Sequence, residues 1–299
     1  MVSDRLIRAA QQRKAGRGRR GLKRKAPVIP EPRYIERRYQ AILRRYVSDI
    51  TDEIRDRLID ALPRLTQDRD MNAPRADNWA EDLGRIVDGL TVFGRSRSER
   101  VLQELDDIAN ETTEFNKRNF ARAMSAVIGV DAMRGVDGEW LKVAVQSWSR
   151  ENAQLIKSIP DNLLGDVEGI AQRALRTGAD PRETAKDIRK RFGVSKNKAK
   201  MIGRDQVAKL NGQITKGRNE ALGIETYEWS TAGDERVRES HVVMNGKLCR
   251  WDDASVYSDD GGASWNKRAS IGGVEQHPGS DYSCRCGSRP ILDDVLEAL

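Results

Sequence analysis

Residues 180–230 read DPRETAKDIRKRFGVSKNKAKMIGRDQVAKLNGQITKGRNEALGIETYEWS, and the change of texture inside this stretch sets the fold class. Asp180 before Pro181, with Glu183 three positions after the cap, is a capping-box helix start with proline in its favoured first position. The helix is expected to reach about Phe192, where Gly193 stops it, and Ser195 is expected to cap a second, longer helix ending at Leu222-Gly223. Gly203, Gly212 and Gly217 interrupt this second helix, each costing roughly 0.5–1 kcal/mol relative to alanine. Close approach of another backbone is the expected compensation. From Ile224 to Ser230 apolar and polar residues alternate around Tyr227 and Trp229, which suits a strand. Helix followed by strand, with no βαβ alternation, implies an α+β chain that is predominantly α.

Upstream the helical period dominates. Ile35, Tyr39, Ile42, Leu43, Tyr46, Val47, Ile50, Ile54, Leu58 and Leu62 form one apolar stripe, which Pro63 ends or kinks. Trp79 to Phe93 repeats the pattern, and Val101, Leu105 and Ile108 extend it. Further helices are expected over Glu114–Val127, over Glu139–Ile159 closed by Pro160, and over Leu163–Arg176. No heptad persists long enough for a coiled coil. Downstream, Asp234-Glu235-Arg236-Val237-Arg238 opens a short turn or helix carrying His241, and Asn245-Gly246 is a hairpin-turn dipeptide.

Charge divides the 299-residue chain unevenly. The net +7 hides 15 Lys/Arg against Asp4, Glu31 and Glu36 in residues 1–46, a balance of +12, and −5 over the remainder. Arg13, Lys14, Arg17, Arg19, Arg20, Lys23, Arg24 and Lys25 form the densest part, interleaved with glycine, and read as a mobile arm. Such an arm neutralises phosphates without reading base sequence, or docks on an acidic protein face, or simply keeps the chain in solution. The N-terminus lacks a signal-peptide apolar stretch, and no apolar run approaches the ~18 residues of a membrane span, so neither secretion nor membrane insertion is expected. The expected organisation is a basic flexible arm at 1–33, a helical region at 34–165 and a C-terminal module at 166–299.

Both histidines and all three cysteines fall between His241 and Cys286. His241, His277, Cys284 and Cys286 are the right ligand types for tetrahedral zinc, although Cys-x-Cys is not the usual Cys-x2–4-Cys knuckle. Packing of these residues in a small core, or a disulfide from Cys249 to Cys284 or Cys286, are the alternatives. A nucleophilic triad can be drawn from His241, Asp234 and Cys286, but no phosphate-cradling glycine loop or paired-histidine motif accompanies it, and no enzymatic activity is expected.

Thr177-Gly178 with Pro181 and Glu183, Phe192-Gly193-Val194-Ser195, Ala199, Ile202 and Arg204-Asp205 form an ordered set. Trp229, Ala232, Asp234 to Arg238, His241, Gly246, Pro278-Gly279 and Cys284-Arg285-Cys286 continue it. From about residue 170 to 292 the chain resembles the phage Mu F-like minor head proteins, the head-morphogenesis or minor capsid family of tailed bacteriophages. It departs from many members in having Arg238-Glu239-Ser240-His241 where they carry Cys-x-x-Cys, and in a longer spacing from His277 to Cys284.

The resemblance implies a minor capsid protein of the virion head near the portal vertex, assembled in the host cytoplasm. The implied partners are the portal protein, the major capsid or scaffolding protein, and double-stranded DNA contacted non-specifically. Trp229, Asp234, Arg236, His241, Gly246, Cys284, Arg285 and Cys286 would hold the terminal module together. Some relatives carry C-terminal toxin domains; with 13 residues after Cys286, none is expected here. The competing reading is a metal-dependent nuclease or toxin-like effector delivered with phage DNA.

Overall fold

In a computed structural model, residues 25–67, 78–128, 133 and 135–292 are described. The helices are α1 (Arg33–Ile54), running on through a π-helical turn at Arg55–Ile59, then α2 (Leu62–Gln67), α3 (Asn78–Gln103), α4 (Leu105–Ile128), α5 (Glu139–Thr177) and α6 (Pro181–Ala221). The C-terminal module contains β1 (Thr226–Ser230), the single-turn α7 (Glu239–Val242), β2 (Leu248–Arg250), β3 (Val256–Tyr257), β4 (Asn266–Lys267), a 3-10 turn at Arg268–Ile271 and β5 (Gly287–Pro290). The chain is α+β and mainly α. None of its described helices is long and apolar enough to cross a membrane.

Two helices are longer than their sequence signals imply. Gly193 does not stop α6, because Ile188 and Phe192 before it and Ala199 and Ile202 after it are all buried. That burial outweighs the roughly 1 kcal/mol cost of one helical glycine. Pro160 likewise lies inside α5 instead of closing it. Proline cannot donate to the carbonyl four residues back. That carbonyl, Ile156 O, instead accepts from Tyr46 Oη at 3.4 Å, while the ring packs on Gly94, whose hypothetical Cβ would lie 2.9 Å from Pro160 Cβ. The Leu105–Ile128 helix begins nine residues before its expected Glu114 start, since Leu105, Ile108 and Ala109 are buried and continue the stripe.

The chain divides into two compact units whose limits differ from the expected 34–165 and 166–299 split. Among the described residues, one comprises those within 25–36, 108–148 and 205–292; the other comprises those within 37–107 and 149–204. All four cuts fall inside helices, which explains why no Pro/Gly-rich linker marks them in the sequence.

The second unit is helical. Tyr39, Leu43, Val47, Ile50 and Ile54 of α1 are buried in it. Tyr39 Oη donates to the buried Asn152 Oδ1 at 2.9 Å, and Tyr46 Oη meets Ser98 Oγ at 2.6 Å. Gly203 allows the α1 backbone to approach: a Cβ there would lie 2.9 Å from Gln40 N.

The first unit carries the sheet. Strand order is β2-β1-β5, antiparallel throughout, with Tyr227 opposite Cys249 and Pro290, and Trp229 opposite Ser288. Residues 25–29 run beside β5: Lys25 bridges to Ile291 and Ala26 N donates to Pro290 O at 3.0 Å. Ala26 and Ile29 join Phe120, Met124, Val127 and Leu222 in a buried cluster, so this part of the expected 1–33 arm is structured. Residues 13–24 of the arm lie outside the described residues.

Candidate functional site

The site is built around β1. Its burial alternates, placing Tyr227 and Trp229 on the covered face together with Met244, Cys249, Trp251, Tyr257, Cys284 and Cys286. The Asn245-Gly246 turn takes up a positive φ of 78° at Gly246 and registers β1, through Gly246 N to Trp229 O at 2.8 Å and Trp229 N to Lys247 O at 2.9 Å. This turn holds α7 over Trp229, whose ring meets His241 edge-on at 5.7 Å. The Cys284-Arg285-Cys286 run enters β5 directly.

Three of the four expected ligands converge. His241 Nδ1 lies 3.4 Å from Cys286 Sγ and 3.6 Å from Cys284 Sγ, and all three residues are buried. His241 Nε2 is 2.9 Å from Asp281 Oδ2. A carboxylate only accepts, so Nε2 carries the proton and Nδ1 turns its lone pair toward the sulfurs when the ring is neutral. Arg238 pairs with Asp281 at 2.9 Å, and the Tyr282 amide donates to its other oxygen at 2.6 Å. Burial pushes Asp281 up, but the His241 and Tyr282 hydrogen bonds and the Arg238 charge outweigh it and hold its carboxyl below the usual range.

The two thiols split. Cys286 and His241, with the amides of Cys286 and Gly279, favour the Cys284 thiolate and lower its pKa, whereas Cys286 beside that thiolate is raised. His241 is raised, first by Cys284 and then by Asp281, against the opposing effect of burial.

Ser283, just before Cys284, is left-handed at φ 52°, a conformation costly for a residue with a Cβ. Its amide donates to the buried Asp205 of α6, which fixes the approach to the Cys-x-Cys run. Gly212 of α6 admits the neighbouring loop, since a Cβ there would stand 2.8 Å from Pro278 O.

His277 is not with the other three. Lys216 Nζ lies 3.5 Å from its Nε2 and Tyr227 Oη lies 3.0 Å from its Nδ1. An ammonium can only donate, so Nε2 accepts and Nδ1–H donates to Tyr227. Burial, then the Lys216 and Arg268 charges, lower the His277 pKa to about 4. Of the four expected ligand side chains, three therefore converge and His277 does not. Cys249 is also separate, its Sγ 3.7 Å from Lys247 O, and all three cysteines are free thiols instead of a Cys249 disulfide. Nor is Asp234 the carboxylate on His241: it pairs with Arg285 at 3.4 Å and receives the Arg236 amide at 3.2 Å. Lys25 is bonded to Glu228, which also takes Arg289 at 3.0 Å; Arg13, Lys14, Arg17, Arg19, Arg20, Lys23 and Arg24 lie outside the described residues.

Sequence reading missed the buried arginines. Arg268 has no exposure and donates to Val256 O at 2.9 Å, Gln276 O at 2.9 Å, Val274 O at 3.2 Å and Tyr227 Oη at 3.2 Å. Arg218 forks onto Asp137 at 2.8 and 3.0 Å and onto Asn116 Oδ1 at 2.7 Å. Asp281, three residues before Cys284, was missed because no spacing rule links a carboxylate in a loop to a histidine 40 residues earlier.

Residues 166–289 match the family model described as phage Mu protein F like protein. A protein of Haemophilus influenzae (strain ATCC 51907 / DSM 11121 / KW20 / Rd), described only as an uncharacterized protein, is 33% identical over 150 residues, half of this chain. The chain spans 30% of that relative's length. No solved structure gives a significant match. Cys284-Arg285-Cys286, the loop before it, α6 and β1 all lie inside the matched residues, so it is the domain at 166–289 that is similar to the phage Mu F-like proteins.

Proposed function

We propose that the chain is a minor head protein of a tailed phage, acting in head assembly at the portal as a structural component without catalytic activity. The family match over residues 166–289 carries this reading. The division of charge supports it: a +12 N-terminal stretch suited to packaged DNA or an acidic portal face, joined to a −5 remainder suited to protein partners.

The test is assembly of phage heads with the chain's coding sequence deleted and restored. Loss of infective heads, rescue by the full chain, and its co-purification with the portal protein are expected. Normal yields of infective particles in its absence would overturn the proposal.

A further inference from the structure

The cluster under β1 presents more than thiols packed beside a histidine. One Nδ1 atom faces two sulfurs at 3.4 and 3.6 Å, and the three atoms lie within 4.8 Å of one another. Cys286 also bonds to Cys284, so one ring nitrogen and two sulfurs, the atom types of a soft-metal site, converge in one buried place. Zinc–nitrogen bonds of about 2.05 Å and zinc–sulfur bonds of about 2.3 Å, at tetrahedral angles, set nitrogen and sulfur ligands about 3.6 Å apart. The observed separations match that spacing.

We infer that His241 Nδ1, Cys284 Sγ and Cys286 Sγ form a binding site for one zinc-class divalent cation. Asp281 is the positioning residue: it accepts from Nε2 at 2.9 Å, fixes the tautomer and orients the ring, as outer carboxylates do for metal-bound histidines. The amides of Gly279 and Cys286 both lie 3.4 Å from Cys284 Sγ and support its thiolate form. Two thiolates and a dication sum to zero, so the buried site needs no further counter-ion. Two of the three arginines at its rim are paired with carboxylates, Arg238 with Asp281 and Arg285 with Asp234, and the third is Arg236. One nitrogen and two sulfurs select zinc, cobalt or a similar d-block ion over magnesium or calcium, which prefer oxygen. The cavity beside the cluster, about 20 Å³ and also lined by Ala232, Arg236, Val237, Arg238, Ser283 and Arg285, has room for one water as the fourth ligand. This site omits His277, and it stands independently of any role in phage heads.

The test uses the full chain, reduced, stripped with chelator under anaerobic conditions and titrated with cobalt(II). One equivalent should bind, with thiolate-to-cobalt charge-transfer absorption and the intense visible bands of tetrahedral cobalt, both removed by one equivalent of zinc. Cys249→Ser and His277→Asn should keep the spectrum. Cys284→Ser should lose about half of the charge-transfer intensity, and Asp281→Asn should weaken binding by about 10–100-fold while keeping the two-sulfur spectrum. A natively folded wild-type chain, with its thiols shown free by titration, that gives no charge-transfer band would overturn the inference. So would a spectrum that survives in the Cys284→Ser, Cys286→Ser double variant.

Discussion

Arg218 has no solvent exposure, and its guanidinium is held by the Asp137 carboxylate and Asn116, which in turn donates to Asn211 Oδ1 at 2.8 Å and Thr215 Oγ1 at 2.7 Å. Removing one member of a buried ion pair strands the other. Arg218→Met should therefore lower stability by about 3 kcal/mol, read from urea unfolding. Arg218→Lys should recover little of it, because one ammonium cannot reproduce the fork on Asp137 while reaching Asn116. Two further residues make stability depend on pH in opposite senses. Glu31 is raised to about 8, by burial first and then by the charges of Cys284 and Glu36. Its unfolded value is near 4.5, so its contribution is complete below that pH and is lost as pH rises to about 8. Glu31→Gln should remove this decline, seen as melting temperatures that differ less between pH 5 and pH 8. His277 is lowered from 6.5 to about 4, so its contribution is present above pH 6.5 and lost on acidification toward 4. A His277→Gln chain should accordingly lose less stability than wild type between pH 7 and pH 4.

Helices α5 and α6 each keep their course through a residue that ordinarily ends a helix, and in each case packing supplies the reason. Pro160 is tolerated because Tyr46 serves the orphaned Ile156 carbonyl and Gly94 makes room for the ring. Tyr46→Phe leaves that carbonyl without its donor and should cost about 1–3 kcal/mol, measured by thermal or urea unfolding. An unchanged unfolding midpoint would mean that the carbonyl is satisfied another way. The glycines of α6 act similarly, although their neighbours differ. A Cβ at Gly203 or Gly212 would meet backbone, as glycine spacing suggests, whereas one at Gly217 would lie 2.3 Å from Trp140 Cζ3. Gly217→Ala raises intrinsic helix propensity by about 1 kcal/mol, yet it should destabilise the chain by about 1–3 kcal/mol, since the indole must move from a packed position. Its Nε1–H bond to Val136 O, 3.0 Å, would be strained by that movement. A more stable Gly217→Ala chain would show that propensity outweighs the clash.

For the molecule as a whole, charge placement gives the broadest expectation. Seven basic residues lie between Arg13 and Arg24. If all seven neutralise duplex phosphates, log affinity against log salt should have a slope of about −6, and deleting residues 1–24 should flatten it toward zero. An unchanged slope in the truncated chain would move DNA contact to the folded part. Helical stripes, the capping box at Asp180, the strand at Tyr227–Trp229 and the Asn245-Gly246 turn are all legible in the chain, because each depends on neighbours within a few residues. Gly193 and Pro160 misled as boundaries because their local cost is about 1 kcal/mol for glycine and ~3 kcal/mol for proline, amounts that distant burial and a borrowed hydrogen bond can offset. The histidine–cysteine cluster shows the same division. Clustering of every histidine and cysteine in one segment was visible in sequence, but that His241 and not His277 meets the two cysteines was not. Tyr227 and Lys216 hold one ring, Asp281 orients the other, and Trp229 supports it from a strand between them. Local order follows from short-range sterics and periodicity, which the linear chain carries in full. Convergence of side chains 40 or more residues apart depends on how β1, α6 and the final loop pack, and that is set only when the chain closes on itself.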